Sequence, residues 1–217
     1  YAINNGGDTE PLYIKTLNMD ATHYNNSLEY NVHNLFGLLE AKATHLSLLN
    51  VKTDAQGGSL RPFLLSRSTF PGSGVWTAHW GGDNYSDWPN LWYSILNLLN
   101  FNLYGIPMVG SDICGFTGNT TMELCARWIE VGSFYPFCRD HSSINTLPQE
   151  LYRWPQVASI GASVLQVRYS LIPLYYTLFH EANQLGSAVI RPLFFSFPND
   201  PKALGIDQQF MVGSTLL

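Results

Sequence analysis

The sequence predicts an α/β protein in which short parallel strands alternate with helices. Short, continuously apolar segments bounded by Gly, Pro or Ser are typical of strands covered on both faces. Longer segments with apolar residues at helical spacing predict helices. Their order is helix, strand, strand, helix, strand, helix, strand, helix, which indicates βα units. Four such units make half of an eight-stranded barrel, and a doubly wound sheet has the same local pattern.

The nucleotide-binding version of a doubly wound sheet has weaker support. No Gly-x-Gly-x-x-Gly segment follows a predicted strand, so the fingerprint that cradles a dinucleotide is missing from the sequence.

The first fifty residues divide into a polar segment and a helix. Residues 1–30 are rich in Asn, Gly, Asp and Thr and predict a loop or linker. Residues 31–50 predict an amphipathic helix. Its apolar positions are Leu35, Leu38, Leu39, Ala43 and Leu46.

The rest of the chain alternates between the two kinds of segment. The predicted strands are 61–66, 75–80, 106–109, 134–137 and 188–195, the first two separated by a Gly- and Ser-rich turn. The predicted helices are 88–103, 121–131 and 157–182. Gly105 and Gly186 follow helices as C-caps, and Thr120 or Thr121 stands at an N-cap position.

Composition excludes several classes of protein. Hydrophobic residues make up 46% and charged residues 12% of the chain, which argues against disorder. The 11 Lys and Arg against 16 Asp and Glu give a net charge of −5 without a basic cluster, so a nucleic-acid partner is not expected. Aromatic residues reach 14%, which suits the stacking of rings on sugars as well as a packed core.

The chain carries three cysteines, so at least one thiol is unpaired within it. Their spacing and that of the histidines predict no metal site. Asn-x-Ser/Thr sequons begin at Asn25, Asn84 and Asn119 and favour the secretory route. No uninterrupted apolar stretch reaches the length of a bilayer span. Because the chain starts at Tyr1 without an initiator Met or a signal peptide, we expect it to be part of a longer protein.

Polar residues follow the predicted strands where a barrel would place functional side chains. Four loops combine an ionisable group with Gly or an aromatic ring, which suits the binding of a neutral polyol. They are 66–70, 79–84, 110–116 and 138–141.

A series of motifs extends through these loops and beyond them. They are Arg67-Ser68-Thr69-Phe70-x-Gly72-Ser73-Gly74, His79-Trp80-x-Gly82-Asp83-Asn84, Phe101-Asn102-Leu103-x-Gly105-Ile106-Pro107-Met108-Val109-Gly110-x-Asp112-Ile113-Cys114-Gly115-Phe116, Glu123-Leu124-Cys125-x-Arg127-Trp128, Phe134-Tyr135-Pro136-Phe137, Arg139-x-His141, Arg168-Tyr169-x-Leu171-Ile172-Pro173 and Arg191-Pro192-Leu193-Phe194. Together, in this order, they resemble family 31 glycoside hydrolases. The resemblance covers nearly the whole chain and is weakest in the first thirty residues.

The resemblance implies a fold and a position within it. The family has a (β/α)8 TIM barrel followed by β-sandwich domains. Residues 1–185 would form the second, C-terminal half of that barrel, with 1–30 as loop or linker, and 186–217 would begin the proximal C-terminal sandwich. The strand that bears the catalytic nucleophile would precede Tyr1, so this chain alone is expected to be inactive.

The resemblance also assigns roles to residues. Asp83 matches the general acid/base, which must be protonated at rest. The matches to positions that line the pocket for a terminal glucose are Arg67, Trp80, Asp112, Phe116 and His141. Asp112 would either contact the sugar or orient Arg67 and Trp80. Cys114 and Cys125 match a disulfide of maltase-like members, which leaves Cys138 free.

The implied activity is that of a retaining exo-α-glucosidase. It would release terminal α-1,4-linked glucose from maltose, malto-oligosaccharides and starch- or glycogen-type α-glucans, without a cofactor. His79-Trp80 before Gly82-Asp83 favours this activity over hydrolysis of α-xylosides or glucose trimming of glycoproteins. Alternatives are a non-catalytic glycan-binding relative and an α-1,4-glucan lyase of the same family. The expected location is extracellular, lysosomal or vacuolar.

Overall fold

The computed structural model describes residues 2–4, 9–11, 16–51, 57, 58 and 60–217. Its helices are α1 (Glu29–Val32), α2 (Phe36–Val51), α3 (Trp88–Leu103), α4 (Met122–Gly132), α5 (Pro155–Leu185) and α6 (Leu193–Ser196). Its strands are β1 (Ala2–Asn4), β2 (Thr9–Pro11), β3 (Leu65–Ser66), β4 (Ala78–Trp80), β5 (Val109–Gly110), β6 (Asp112–Ile113), β7 (Arg139–Asp140), β8 (Ile190–Arg191) and β9 (Met211–Val212).

Parallel strand pairs form the centre of the fold. β3, β4 and β5 make one parallel sheet, and β6 and β7 make a second parallel pair. The amide of Phe137, just before β7, donates to the carbonyl of Val109 in β5 at 3.1 Å, which connects the two groups of strands. α3 links β4 to β5 and α4 links β6 to β7. The parallel βα units predicted from the sequence are therefore present.

The core lies between these strands and helices α3, α4 and α5. Its largest fully buried side chains include Trp128, Tyr135 and Leu98. The Tyr135 hydroxyl accepts a hydrogen bond from Trp128 Nε1 at 3.2 Å and lies within hydrogen-bonding distance of the Ser94 hydroxyl. A buried phenol needs such partners because an unpaired polar group costs free energy away from water.

The predicted strand 134–137 is wrong. These residues form a turn after α4, and the strand that follows is β7. The guanidinium of Arg168 explains the difference, because it donates to the carbonyls of Ser133, Tyr135 and Pro136 at 2.5–3.1 Å. A side chain thus satisfies the carbonyl groups that a neighbouring strand would otherwise pair.

Both ends of the chain also differ from the predicted elements. In the predicted loop 1–30, β1 and β2 form an antiparallel pair, while residues 1, 5–8 and 12–15 lie outside the described part. The predicted strand 188–195 is reduced to β8, which pairs antiparallel with β9. α6 follows directly after Pro192, whose ring fixes φ and removes the amide that a continuing strand would need.

Capping residues set the helix ends close to the predicted ones. α3 has the predicted bounds, because the Asp87 carboxylate accepts from the Asn90 amide at 2.8 Å and Gly105 follows with φ +78°. At α4, Thr121 is the N-cap and accepts from the Leu124 amide at 3.2 Å. Gly186 ends α5 in a left-handed conformation.

The predicted apolar face of α2 is wrong, although the helix is present. Leu39, Ala43 and Leu46 are exposed, and the buried residues are Gly37 and Ala41. A Cβ atom at Gly37 would lie 2.4 Å from Ser68 Oγ. The helix therefore packs Gly37 against the loop after β3, since a residue without a side chain permits this close approach.

α5 is long and apolar enough to cross a membrane by length and composition alone, although Arg168 within it means that it is not an uninterrupted apolar stretch. Its contacts are those of a helix packed on a protein core. Val157, Tyr175 and Leu178 are buried, and the Tyr175 hydroxyl donates to the Phe134 carbonyl at 2.6 Å.

A disulfide joins Cys114 and Cys125, with the two Cα atoms 4.5 Å apart, and Cys138 is a free thiol. This is the pairing that the family resemblance implies. Cys114 directly follows β6 and Cys125 lies in α4, so the bond ties the loop after β6 to the helix behind it. Cys114 has a positive φ of 72°, a conformation uncommon for a residue with a side chain.

We predict that Cys138 alone, among these three, is alkylated when the protein is denatured without reductant. Cys114 and Cys125 should react only after reduction, as peptide mapping by mass spectrometry would show. The double variant Cys114→Ser/Cys125→Ser should lose about 2–4 kcal/mol of unfolding free energy, the usual contribution of such a bond. Cys138→Ser is the control for the alkylation pattern. Alkylation of Cys114 without reductant would contradict the pairing.

Candidate functional site

The predicted site residues lie at the carboxyl ends of parallel strands. Arg67 follows β3, Trp80 is the last residue of β4, and Asp83 comes three residues after it. Asp112 comes two residues after β5 ends and opens β6, and His141 follows β7. In a barrel this end carries the functional side chains, so the fold places them where chemistry is expected.

Asp112 is held by Arg139, its direct partner in the parallel register of β6 and β7. Arg139 donates from Nε and Nη2 to Asp112 Oδ1 at 2.9 and 2.7 Å. Asp112 is only 1% exposed, and its other oxygen, Oδ2, is buried without a hydrogen-bond partner in the described part of the chain. A buried carboxylate with one oxygen fully paired and one free has the capacity to accept a further hydrogen bond.

Burial raises the pKa of the Asp112 carboxyl above its ordinary value, and the negative charge of Asp83 acts in the same direction. The Arg139 guanidinium, through its hydrogen bonds and its charge, and the charge of His141 lower the pKa. Asp83, Arg139 and His141 therefore lie within electrostatic range of one buried carboxylate. Asp83 itself is exposed at the surface of the site.

Trp80 is linked to the same group of charges. The Arg139 guanidinium lies 5.1 Å from the ring centroid of Trp80 and 5.6 Å from that of Phe137, within the range of cation–π attraction. Among the described residues, the Asp112 carboxylate is hydrogen-bonded to Arg139 and not to Arg67 or Trp80, the two residues that it was expected to orient if it did not contact the sugar.

His79, beside Trp80 on β4, has a structural environment. It is buried, its Nδ1 lies 3.2 Å from the Ser66 carbonyl, and its ring stacks on Phe101 with centroids 3.6 Å apart. Burial lowers the pKa of His79 to about 4, so the imidazole is neutral near neutral pH. A neutral ring whose Nδ1–H donates to the Ser66 carbonyl fixes β4 against β3.

Asn84 connects the loop of Asp83 to the loop of Phe116. Its Nδ2 donates to the Asp112 carbonyl at 3.0 Å, and its Oδ1 accepts from the Phe116 amide at 3.0 Å. Arg67 lies across Gly82, where a Cβ atom would be 2.8 Å from Arg67 Cδ and φ is +78°. The Gly-Gly-Asp-Asn segment therefore has a defined conformation that presents Asp83.

Gln149 joins the loops after β6 and β7. Its Nε2 lies within hydrogen-bonding distance of four oxygens: the carbonyls of Ile113, Gly115 and His141 and the carboxylate of Asp140, at 2.7–3.3 Å. The rings of Phe116 and His141, one from each loop, lie 5.1 Å apart. These two predicted pocket residues are thus brought together.

Sequence analysis missed three residues that organise the site: Arg139, Asn84 and Gln149. Arg139 and Asn84 stand inside the motifs quoted above, but their partners are distant along the chain. The signal that could have found Arg139 is its charge, placed two residues before His141 at a predicted strand end. Among the described residues, no group of three His, Cys, Asp or Glu side chains is arranged to hold a metal ion.

Two family models match the chain. Residues 7–178 match the glycosyl hydrolases family 31 TIM-barrel domain, and residues 186–217 match the family 31 C-terminal domain.

Individual relatives agree with this match. The chain is 54% identical over all its 217 residues to a protein of Oryza sativa subsp. japonica named "Probable alpha-glucosidase", of which it covers 24%. It is 49% identical over the same residues to "Alpha-xylosidase 1" of Arabidopsis thaliana, of which it covers 23%. The chain thus spans about a quarter of the length of these relatives.

A solved structure has the same fold. The crystal structure of a glucosidase II alpha subunit superposes with a TM-score of 0.86 at 39% identity, over 91% of this chain and 21% of that one. With matches along its full length, the chain belongs to glycoside hydrolase family 31.

Proposed function

We propose that this chain is the acid/base half of a retaining exo-α-glucosidase. The whole enzyme would release terminal α-1,4-linked glucose from maltose, malto-oligosaccharides and larger α-glucans. The observation that carries the proposal is the cluster at the strand ends, where exposed Asp83 lies within electrostatic range of the buried carboxylate of Asp112, which has one oxygen without a partner. Relatives named alpha-glucosidase support the substrate class.

Retaining hydrolysis needs two carboxyl groups roughly 5 Å apart, one to attack the anomeric carbon and one to protonate the leaving oxygen. Asp83 takes the second role, because it is exposed at the end of β4 on a loop that Asn84 holds in place. The nucleophile would come from a part of the enzyme outside this chain. After the leaving group departs, Asp83 accepts a proton from the water that hydrolyses the glycosyl-enzyme.

The remaining site residues would bind the terminal sugar. Asp112 Oδ2 is free to accept a hydrogen bond from a hydroxyl group, and Arg67 offers a planar set of donors. Trp80 and the adjacent rings of Phe116 and His141 provide apolar faces for the sugar ring. This combination of few polar groups among aromatic rings is typical of sites for neutral ligands.

Hydrolysis of α-xylosides is the second candidate, because one relative at 49% identity carries the name alpha-xylosidase. Xylose lacks the hydroxymethyl group of glucose, so the two activities separate in a direct comparison of maltose with an aryl α-xyloside. Higher kcat/KM on the xyloside would reverse the order of the two candidates.

We also propose the domain boundary and the location. Residues 1–185 would belong to the barrel and 186–217 would open the first C-terminal sandwich, in line with the two family matches. The disulfide and the sequons support a secretory-route enzyme, because such bonds persist in oxidising compartments.

In the complete enzyme, we predict that Asp83→Ala slows maltose hydrolysis by about 10²–10⁴-fold, the usual contribution of a positioned proton donor. An aryl α-glucoside with an acidic phenol needs no proton to depart, so its glucosylation step should be affected far less. The glucosyl-enzyme should then accumulate, which lowers the apparent KM. Azide should restore turnover and give α-glucosyl azide, measured by NMR.

Glu40→Ala is the control for this experiment, since it removes an exposed carboxylate from α2. Its activity should match that of the parent. Equal losses on both substrates without azide rescue would remove the acid/base role from Asp83.

We predict that Arg67→Lys in the complete enzyme lowers kcat/KM for maltose out of proportion to its unchanged charge. Lysine lacks the planar set of donors, although its aliphatic stem can still lie across Gly82. Steady-state kinetics would measure the loss, with the exposed Arg127→Lys as the matched control. Activity within a factor of two of the parent would assign Arg67 a structural role.

A further inference from the structure

Arg139 has contacts beyond those of an ordinary ion pair. Its guanidinium gives two hydrogen bonds to one oxygen of a carboxylate that is 1% exposed, and its planar surface lies near the rings of Trp80 and Phe137. Arg139 thus connects the ends of β4, β6 and β7. The Arg139 side chain is 29% exposed and the Asp112 side chain 1%, so the pair is partly shielded from water.

The two oxygens of Asp112 are used differently. Arg139 occupies Oδ1, and Oδ2 is buried and unpartnered in the described part of the chain. A buried acceptor without a donor is costly unless a ligand supplies one. The division leaves one oxygen of fixed orientation for a ligand hydroxyl.

We propose that Arg139 is a positioning residue for the substrate pocket, which orients Asp112 Oδ2 and the Trp80 ring without contacting the substrate itself. This inference rests on the proposed glycosidase function. Two consequences distinguish the role from mere structural support. The planar donor set of arginine is required in addition to its charge, and the ionisation of Asp112 depends on Arg139.

The first consequence is tested in the complete enzyme by steady-state kinetics of Arg139→Lys and Arg139→Gln, each checked by thermal unfolding. Truncating one partner of a buried charge pair costs enough to lower kcat/KM roughly 30-fold or more in Arg139→Gln. Arg139→Lys should fold like the parent and still lose about 10-fold, mainly through KM, because it keeps the charge but not the planar fork. Arg127→Gln, which removes the exposed ion pair with Glu130, is the matched control and should stay within twofold.

The second consequence is a change in the pH dependence of KM. Arg139 lowers the pKa of Asp112, so its removal lets the carboxyl take up a proton at higher pH. KM of Arg139→Gln should therefore rise as pH falls, over a range where KM of the parent is still flat. Asp83 and His141 also act on Asp112 and titrate themselves. The double variant Arg139→Gln/Asp112→Asn retains Asp83 and His141. Any pH dependence of KM that these two residues cause should remain, and only the part caused by Asp112 should disappear.

Arg139→Lys with kcat/KM within threefold of the parent would overturn the proposal. So would an identical pH dependence in Arg139→Gln and its Asp112→Asn double variant. The parent enzyme tests the proposed function separately. If it hydrolyses an α-xyloside and not maltose, the glucosidase proposal fails, and the Arg139 variants are compared on the xyloside with the same expectations.

Discussion

The register between neighbouring parallel strands is the constraint on which the site depends. Each strand has only two or three residues, so few backbone hydrogen bonds define the pairing. Close backbone contact also fixes the register, because a Cβ atom at Gly110 would lie 1.9 Å from the Phe137 carbonyl oxygen. With that approach fixed, Arg139 lies beside Asp112. A slip of one residue would turn the Arg139 side chain to the opposite face of the strand pair.

The same register places a cation, Arg139, beside the buried carboxylate of Asp112. A carboxylate as buried as Asp112 would be costly without a cation, because burial disfavours its charged form. Arg139 supplies the cation from the adjacent strand, and the rings of Trp80 and Phe137 lie within cation–π range of it. The site therefore combines the Asp112–Arg139 charge pair with an exposed carboxylate, Asp83, on a loop after β4. Under the proposed function, the pair would position the substrate and Asp83 would transfer the proton.

Local sequence signals predicted the features that are determined locally. The bounds of α3 follow from Asp87 and Gly105, residues within one turn of its ends. The loops after the strands were located closely enough to place Arg67, Trp80 and His141 near strand ends, whereas the roles of these residues came from the family resemblance. Long-range contacts account for the failures. Arg168 binds carbonyls 32 to 35 positions earlier, where a strand was predicted, and Asp112 contacts Arg139 across 27 positions. The periodicity of apolar residues along the sequence does not indicate contacts between residues this far apart.

Arg168 has a further consequence, during biosynthesis. α5 has an apolar composition that a translocon could treat as a membrane anchor. Arg168 stands near the middle of its 31 residues, and an arginine at the centre of a membrane-inserted helix costs about 2.5–3.5 kcal/mol on insertion scales. In a secreted protein, the residue that anchors the turn after α4 would therefore also bias the nascent chain toward full passage into the lumen instead of lateral release into lipid.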